Sequence, residues 1–478
     1  MSIKDKAIKG GKWITTSTAI TTVLQFGQVA ILARLLEPAA FGLVGICTML
    51  IGFFSIFSNL GFSNSIISKQ ENDKKLLSTI YYLNLCLGGI IGVLVFFSST
   101  LVAAYYNEPK LVNVIRLSSL SFVIIYFGQI YLFLLQKELR FKSVALIDII
   151  GGVVGTTVAI TLAYMGFEEL SLIIGNLVMV SVKTLLQILF GIRLFFPVLH
   201  FKLNEIKDHI RFGIINVGDG VVGYVQGNAD NFLVSSMLGV QALGYYTIAL
   251  QLAVFPIQKL NPIILQIAYP VIAKFKEQPT ELRNTYLKIL DLISFVNFPL
   301  LVGLFLTVDG VVPLIYGEGW ESTFPLIRIF VFVSMLSCLG HPLYTLVFTK
   351  DKPQLLFKLN IFILFVKIPL VFLLGNYWGV TGIACSYLIA TIIHTIINFF
   401  IVNSLIGNFF KPFFLNISKI AMFCVSMVVL IYMYKSLVGF SGLYNTLVQI
   451  GIGGVTYLAL TLIYKYSLSD LKNLKQSL

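Results

Sequence analysis

Fourteen apolar stretches, each close to bilayer-crossing length, follow one another along this chain, and most of its positive charge falls in alternate gaps between them. A stretch of about 20 apolar residues must satisfy its own backbone inside hydrocarbon, and an α-helix does so segment by segment. The candidates are 13–35, 41–62, 77–102, 113–135, 144–165, 170–195, 209–237, 243–273, 284–306, 323–349, 355–374, 380–406, 414–434 and 443–464. Of 34 Lys and Arg residues, 26 belong to alternate gaps and three (Arg34, Lys110, Lys435) to the gaps between. Five more (Arg116, Lys183, Lys259, Arg328, Lys367) lie inside the stretches. Positive loops are retained on the cytoplasmic side, so an even count with this bias puts both termini in the cytoplasm.

The chain is 57% apolar and 12% charged, far from the roughly 25% charge of soluble domains. Its net charge of +13 is spread over short loops, which leaves no basic domain for a nucleic acid. It is suited instead to anionic lipid headgroups. Cys47, Cys86, Cys338, Cys385 and Cys424 all fall in apolar stretches without metal-ligand spacing, and read as small buried hydrophobes. The first stretch is too long for a signal peptide and carries Gln25 and Gln28, which favours an uncleaved span. The longest outer connection, 307–322, is acidic.

The chain also repeats. A shift of 202 residues carries Gly11, Leu36, Ala40 and Gly42 onto Gly213, Leu238, Ala242 and Gly244, and Asn59 onto Asn261. Six spans are crossed, an even number, so the two copies have the same orientation. The expected architecture is an all-α integral membrane protein of about 14 transmembrane helices. Two pseudo-symmetric six-helix lobes (1–196 and 197–406) precede two C-terminal helices and a cytoplasmic tail (407–478).

Polar residues inside spans narrow the search for function. On the seventh span Asp219, Gly223, Gln226 and Asp230 form one stripe, because eleven residues turn about 20° beyond three full turns. The repeat places Ser17, Thr21, Leu24 and Gln28 on the equivalent stripe of the first span. A carboxylate at membrane depth costs at least ~2.5 kcal/mol unless it meets protein or water, so these faces either line a central cavity or bond neighbouring helices. Lys183 and Lys259 near mid-span, and Lys367 in an outer half, need a carboxylate, water or a ligand phosphate. Arg116 and Arg328, near outer ends, either snorkel to the surface or join them. Asp148 and Asp291 read as interfacial. Pro256, Pro262, Pro270 and Pro299 read as interruptions of their helices. His341 and His394 each stand alone in apolar context, and no metal-binding, nucleotide-binding or hydrolase motif is present. These features point away from an enzyme and towards a transporter without an ATPase.

Two strings are more specific: Ala33-Arg34-Leu35-Leu36-Glu37-Pro38 with Phe41-Gly42-Leu43, and Leu135-Gln136-Lys137-Glu138-Leu139-Arg140-Phe141. With these, the whole chain resembles the polysaccharide transporter family, the Wzx-like flippases of the multidrug/oligosaccharidyl-lipid/polysaccharide exporter superfamily. The resemblance implies a flippase of the bacterial inner membrane that moves undecaprenyl-pyrophosphate-linked oligosaccharide by alternating access for surface polysaccharide synthesis. It also implies a cationic cavity between lobes, for which Lys183, Lys259 and Lys367 are the candidates, followed by Arg34 and Arg116, with Gln28 and Gln226 beside them. Asp219 and Asp230 are candidates for coupling to a proton or sodium ion; no other cofactor is expected. Polysaccharide polymerase machinery is an expected partner. The alternatives are a cation-coupled multidrug antiporter of the same superfamily, a membrane polysaccharide polymerase or ligase, and a non-transporting member of an assembly complex. The short outer loops weigh against the enzyme.

Overall fold

A computed structural model describes the backbone of residues 3–58, 66, 70–438 and 442–464, with side chains for all of these except residues 3–8, 204–205, 207–219, 222 and 267. Twelve helices among the described residues are long and apolar enough to cross a membrane. They are α1 (Ile3–Leu35), α2 (Pro38–Ser58), α3 (Lys74–Tyr106), α4 (Lys110–Lys137), α5 (Phe141–Tyr164) and α6 (Glu168–Gly191), then α7 (Lys207–Lys274), α8 (Pro279–Tyr316), α9 (Thr323–Thr349), α10 (Gln354–Ile406), α11 (Phe410–Val438) and α12 (Leu443–Tyr464).

Two of these are too long for one crossing. α7 has 68 residues and α10 has 53, or about 100 and 80 Å at 1.5 Å per residue, against a hydrocarbon core of about 30 Å. Each contains one residue with non-helical backbone, Gly239 (φ 83°) and Gly379 (φ 57°). Positive φ is open to glycine without the Cβ penalty, so these two residues divide the long elements into pairs. Twelve elements thus become fourteen spans, as the apolar pattern requires. The breaks are at glycine and not at proline: Pro256, Pro262, Pro270 and Pro299, expected to interrupt helices, lie inside continuous ones. The first span also starts earlier than expected, at Ile3, and the outer connection 307–322 is mostly helix. α8 runs on to Tyr316, where Gly317 (φ 84°) returns its N–H to the Pro313 carbonyl.

The chain divides into two compact units, Met1–Gly244 and Tyr245–Leu478. In the first, α1 packs on α5, α5 on α6, and α4 on both α3 and α6. In the second, α8 packs on α9, α9 on α10, and α11 and α12 pack on each other and on α8. Lipid supplies no hydrophobic drive between helices, so close approach through small residues does the holding. Gly151 and Gly155 of α5 admit the Lys183 stem and Met179 of α6, while Gly88 of α3 admits the Tyr126 ring of α4. Large apolar side chains such as Phe97, Leu101, Phe365 and Val455 are at least 70% exposed, as lipid-facing positions are. Cys47, Cys338 and Cys424 are buried as expected, but Cys86 is exposed on α3.

The 202-residue repeat reappears as a contact inside the first unit. A Cβ on Gly42 would overlap the Val240 carbonyl oxygen, and a Cβ on Gly244 would overlap the Pro38 carbonyl oxygen. The same shift that carries Gly42 to Gly244 carries Pro38 to Val240, so each copy presents a glycine to the other's backbone. Gly239 falls on Glu37, one of the two residues between α1 and α2. Asn59, expected to correspond to Asn261, lies outside the described residues.

Candidate functional site

The stripe of the first span turns to α5. Ser17 donates to the Ala145 carbonyl at 3.3 Å, and Gln28 Oε1 accepts from the Thr156 hydroxyl at 2.9 Å. Between them, Thr21 and Leu24 pack near Gly152. Ser17 and Gln28 therefore hydrogen-bond a neighbouring helix, and Thr21 and Leu24 pack against it. On α7, the side chain of Asp219 lies outside the described residues. Gly223 faces open space, Gln226 is half-buried and Asp230 is 4% exposed.

The intramembrane cations meet several kinds of partner. Lys183 of α6 reaches Asp148 of α5 at 2.8 Å, its stem lying along Gly151. Asp148, read as an ordinary interfacial acid, is therefore an ion-pair partner. Arg116 of α4 donates to the Ser99 hydroxyl at 3.2 Å and lies over the Phe96 ring at 5.0 Å. Arg34 is exposed in the last turn of α1. In the second unit Lys259 is half-buried, 5.9 Å from the ring of Phe255 one turn earlier. Lys367 is only 7% exposed, with its ammonium 4.0 Å from the centre of the Tyr387 ring across the Gly379 break. Such cation–π contact suits a desolvated ammonium.

Arg328 does not snorkel alone. It binds both oxygens of Asp309 at 2.7 and 2.8 Å, from α9 to α8. Lys435, counted from sequence among outer-gap charges, is 7% exposed on α11 and donates to the Leu306 carbonyl of α8. Lys137, in the second family string, is also buried. It donates to the Glu71 carbonyl and to Asn72 Oδ1, both at 2.6 Å, and so anchors the segment before α3.

Sequence reading missed a neutral polar cluster in the second unit. His341 and His394, each expected to stand alone, line one cavity of about 770 Å³ together with Tyr269, Ser337, Tyr344 and Asn398. Behind it, Asn297 of α8 donates to Asn261 of α7 at 2.9 Å, and Asn261 contacts His341 Nδ1 of α9 at 2.9 Å. Asn398 of α10 donates to the Gly340 carbonyl at 3.2 Å. The sequence did hold a signal: Ser337, His341 and Tyr344 are spaced at i, i+4 and i+7, and His394 and Asn398 at i and i+4. Each set occupies one helical face. Among the described residues, no group of three or more His, Cys, Asp or Glu is arranged to hold a metal.

Known proteins place this arrangement. The profile of a family described as "Polysaccharide biosynthesis protein" matches residues 31–325. The chain is 33% identical to the lipopolysaccharide biosynthesis protein WzxC of Escherichia coli strain K12, over 87% of this chain and 85% of that one. It is 27% identical to the teichuronic acid biosynthesis protein TuaB of Bacillus subtilis strain 168, over 87% and 86%. In fold it is similar to the lipid II flippase MurJ in an inward closed conformation, with a TM-score of 0.75 and 15% identity over 94% of this chain and 98% of that one. The chain belongs to the polysaccharide biosynthesis protein family.

Proposed function

We propose that this chain is a flippase that moves polyprenyl-pyrophosphate-linked oligosaccharides across the bacterial inner membrane by alternating access, for surface polysaccharide synthesis. The observation that carries this reading is the 33% identity to a lipopolysaccharide biosynthesis protein over most of both chains. The physical task agrees with it. A sugar headgroup cannot cross about 30 Å of hydrocarbon unaided, whereas the polyprenyl tail is at home there. A helical body with polar groups held inside it supplies the missing path. We assign the two lobes of this motion to residues 1–196 and 197–406, and both termini to the cytoplasm. Lys183, Lys259 and Lys367, followed by Arg34 and Arg116, are the pyrophosphate candidates, with Gln28 and Gln226 at the sugars. Asp219 and Asp230 carry the coupling proton or sodium ion, and polysaccharide polymerase machinery takes the product.

The test is translocation in proteoliposomes of undecaprenyl-pyrophosphate-linked oligosaccharide labelled on its sugar, with and without a proton or sodium gradient. Protein-dependent appearance of the label on the opposite face is expected. A protein that leaves this lipid in place yet moves an organic cation would be the antiporter instead. Asp219→Asn or Asp230→Asn should abolish the gradient dependence; if both variants keep it, the coupling assignment falls.

A further inference from the structure

The cavity of the second unit has a donor whose identity is set by hydrogen bonds behind it. Asn297 Nδ2 donates to the Ile293 carbonyl, an acceptor only, which fixes the orientation of that amide. The same nitrogen meets Asn261 Oδ1 at 2.9 Å, so Asn261 turns Nδ2 towards His341 Nδ1. Nδ1 must then accept, and a neutral imidazole that accepts at Nδ1 carries its hydrogen on Nε2. Protonation at Nδ1 would set two N–H groups face to face, so the amide pair holds His341 neutral. Asn261 and Asn297 are fully buried whereas His341 is exposed, so the Nε2 edge faces the cavity.

The rest of the wall is uncharged and largely apolar or aromatic. Tyr269 and Tyr344 leave 49% and 61% of their surface exposed. Asn398 is fully buried, and its Oδ1 has no hydrogen-bond partner among the described residues. No Asp, Glu, Lys or Arg is among the described residues that line the cavity. About 770 Å³ is within the range of about 300–1,000 Å³ typical of small-molecule sites and well beyond a single ion. Without cations the cavity is a poor phosphate site, and Leu265, Phe348 and Leu356 give it a mostly apolar wall in which His341 supplies a fixed neutral donor. Exposed aromatic faces with fixed neutral hydrogen-bonding groups match the apolar C–H faces and hydroxyls of a sugar ring.

We propose that this cavity binds neutral sugar residues of the cargo, with His341 Nε2–H donating to a ring hydroxyl and Tyr344 stacked on the ring. The proposal rests on the flippase reading and gives it a specificity site separate from any pyrophosphate contact.

The experiment compares two probes on the full-length protein in nanodiscs: undecaprenyl pyrophosphate, and the same lipid carrying a single glucose. The wild type should bind the glycosylated lipid about five- to tenfold more tightly, the effect of one or two neutral hydrogen bonds. His341→Phe and Tyr344→Ala should each erase that increment and leave the affinity for the bare lipid unchanged. His341→Gln, whose amide offers both an acceptor and a donor, should restore it. An increment that survives both His341→Phe and Tyr344→Ala overturns the proposal, as does a variant that weakens both probes equally, because the cavity would then hold the lipid. If the wild type binds neither probe, the flippase reading itself fails and this site falls with it.

Discussion

In the first unit Lys183 and Asp148 meet as opposite charges, their side chains 27% and 44% exposed; in the second, two fully buried asparagines join His341 by neutral hydrogen bonds. The difference is one of exchangeability. A half-exposed ion pair holds its partners weakly and accepts a substitute, such as a phosphate in place of the carboxylate. A buried amide chain has no substitute at hand, so its value is in orientation: it sets the hydrogen that His341 shows to the cavity. Charge is kept where it can be traded, and neutral polarity where it must stay fixed.

That contrast breaks most visibly at Asn261. Asn261→Leu removes the partner of His341 Nδ1 and one of the two acceptors of Asn297, at a cost of about 1–3 kcal/mol for a buried group left unsatisfied. Chemical denaturation of the detergent-solubilised variant should show a clearly lower midpoint, and Asn261→Leu/Asn297→Leu should recover part of it. An Asn261→Leu protein as stable as the wild type would mean that the chain of amides fixes nothing.

The ion pair should behave in the opposite way, with less effect on stability and more on transport. Lys183→Met should slow translocation about tenfold, the weight of one charge-assisted contact of about 1.5 kcal/mol. In Lys183→Met/Asp148→Leu stability returns but transport does not. Recovery of transport in the double variant would show that the lysine serves Asp148 alone.

The smallest effects are expected at pairs near helix ends. A double-mutant cycle on Arg328 and Asp309, whose side chains are 42% and 36% exposed, should give no more than about 1 kcal/mol. Lys276 is in a loop outside the spans, and Asp351 at 2.5 Å holds its ammonium above the ordinary 10.5. A raised lysine contributes fully below 10.5 and loses that contribution only as pH climbs through the higher folded value. The Lys276→Ala difference should therefore be flat from pH 5 to 9 (chosen as about the usable range), and a slope there would assign the effect to another group.

Much of the fold was legible because bilayer thickness sets a length, and length can be counted along a chain. The gaps at 238–242 and 375–379 marked places where the helix must turn, and Gly239 and Gly379 are the residues that do it. The end of α8 was not legible. Asp309 and Pro313 read as loop residues, but Arg328 neutralises the first from another helix, and the second is carried inside the last turns. Lys435 was misplaced for a similar reason, since a carbonyl on α8 takes up its ammonium. The Asp148 partnership and the joining of His341 to His394 depend on which helices are neighbours, which spacing along one helix does not record. The single-face spacings of Ser337, His341 and Tyr344, and of His394 and Asn398, were the only local trace.

The reciprocal crossing of Gly42 with Val240 and Gly244 with Pro38 has a mechanical consequence. On each glycine the hydrogen that stands where a Cβ would be points at a carbonyl, a contact worth about 0.5–1 kcal/mol. Two of them together amount to only a few times thermal energy. The fit is therefore strict about shape, since any larger side chain on either glycine meets a carbonyl, while these two contacts by themselves add little energy. Because the two crossings are images of each other under the repeat, a side chain placed on either glycine meets the same kind of obstacle, a backbone carbonyl of the opposite copy.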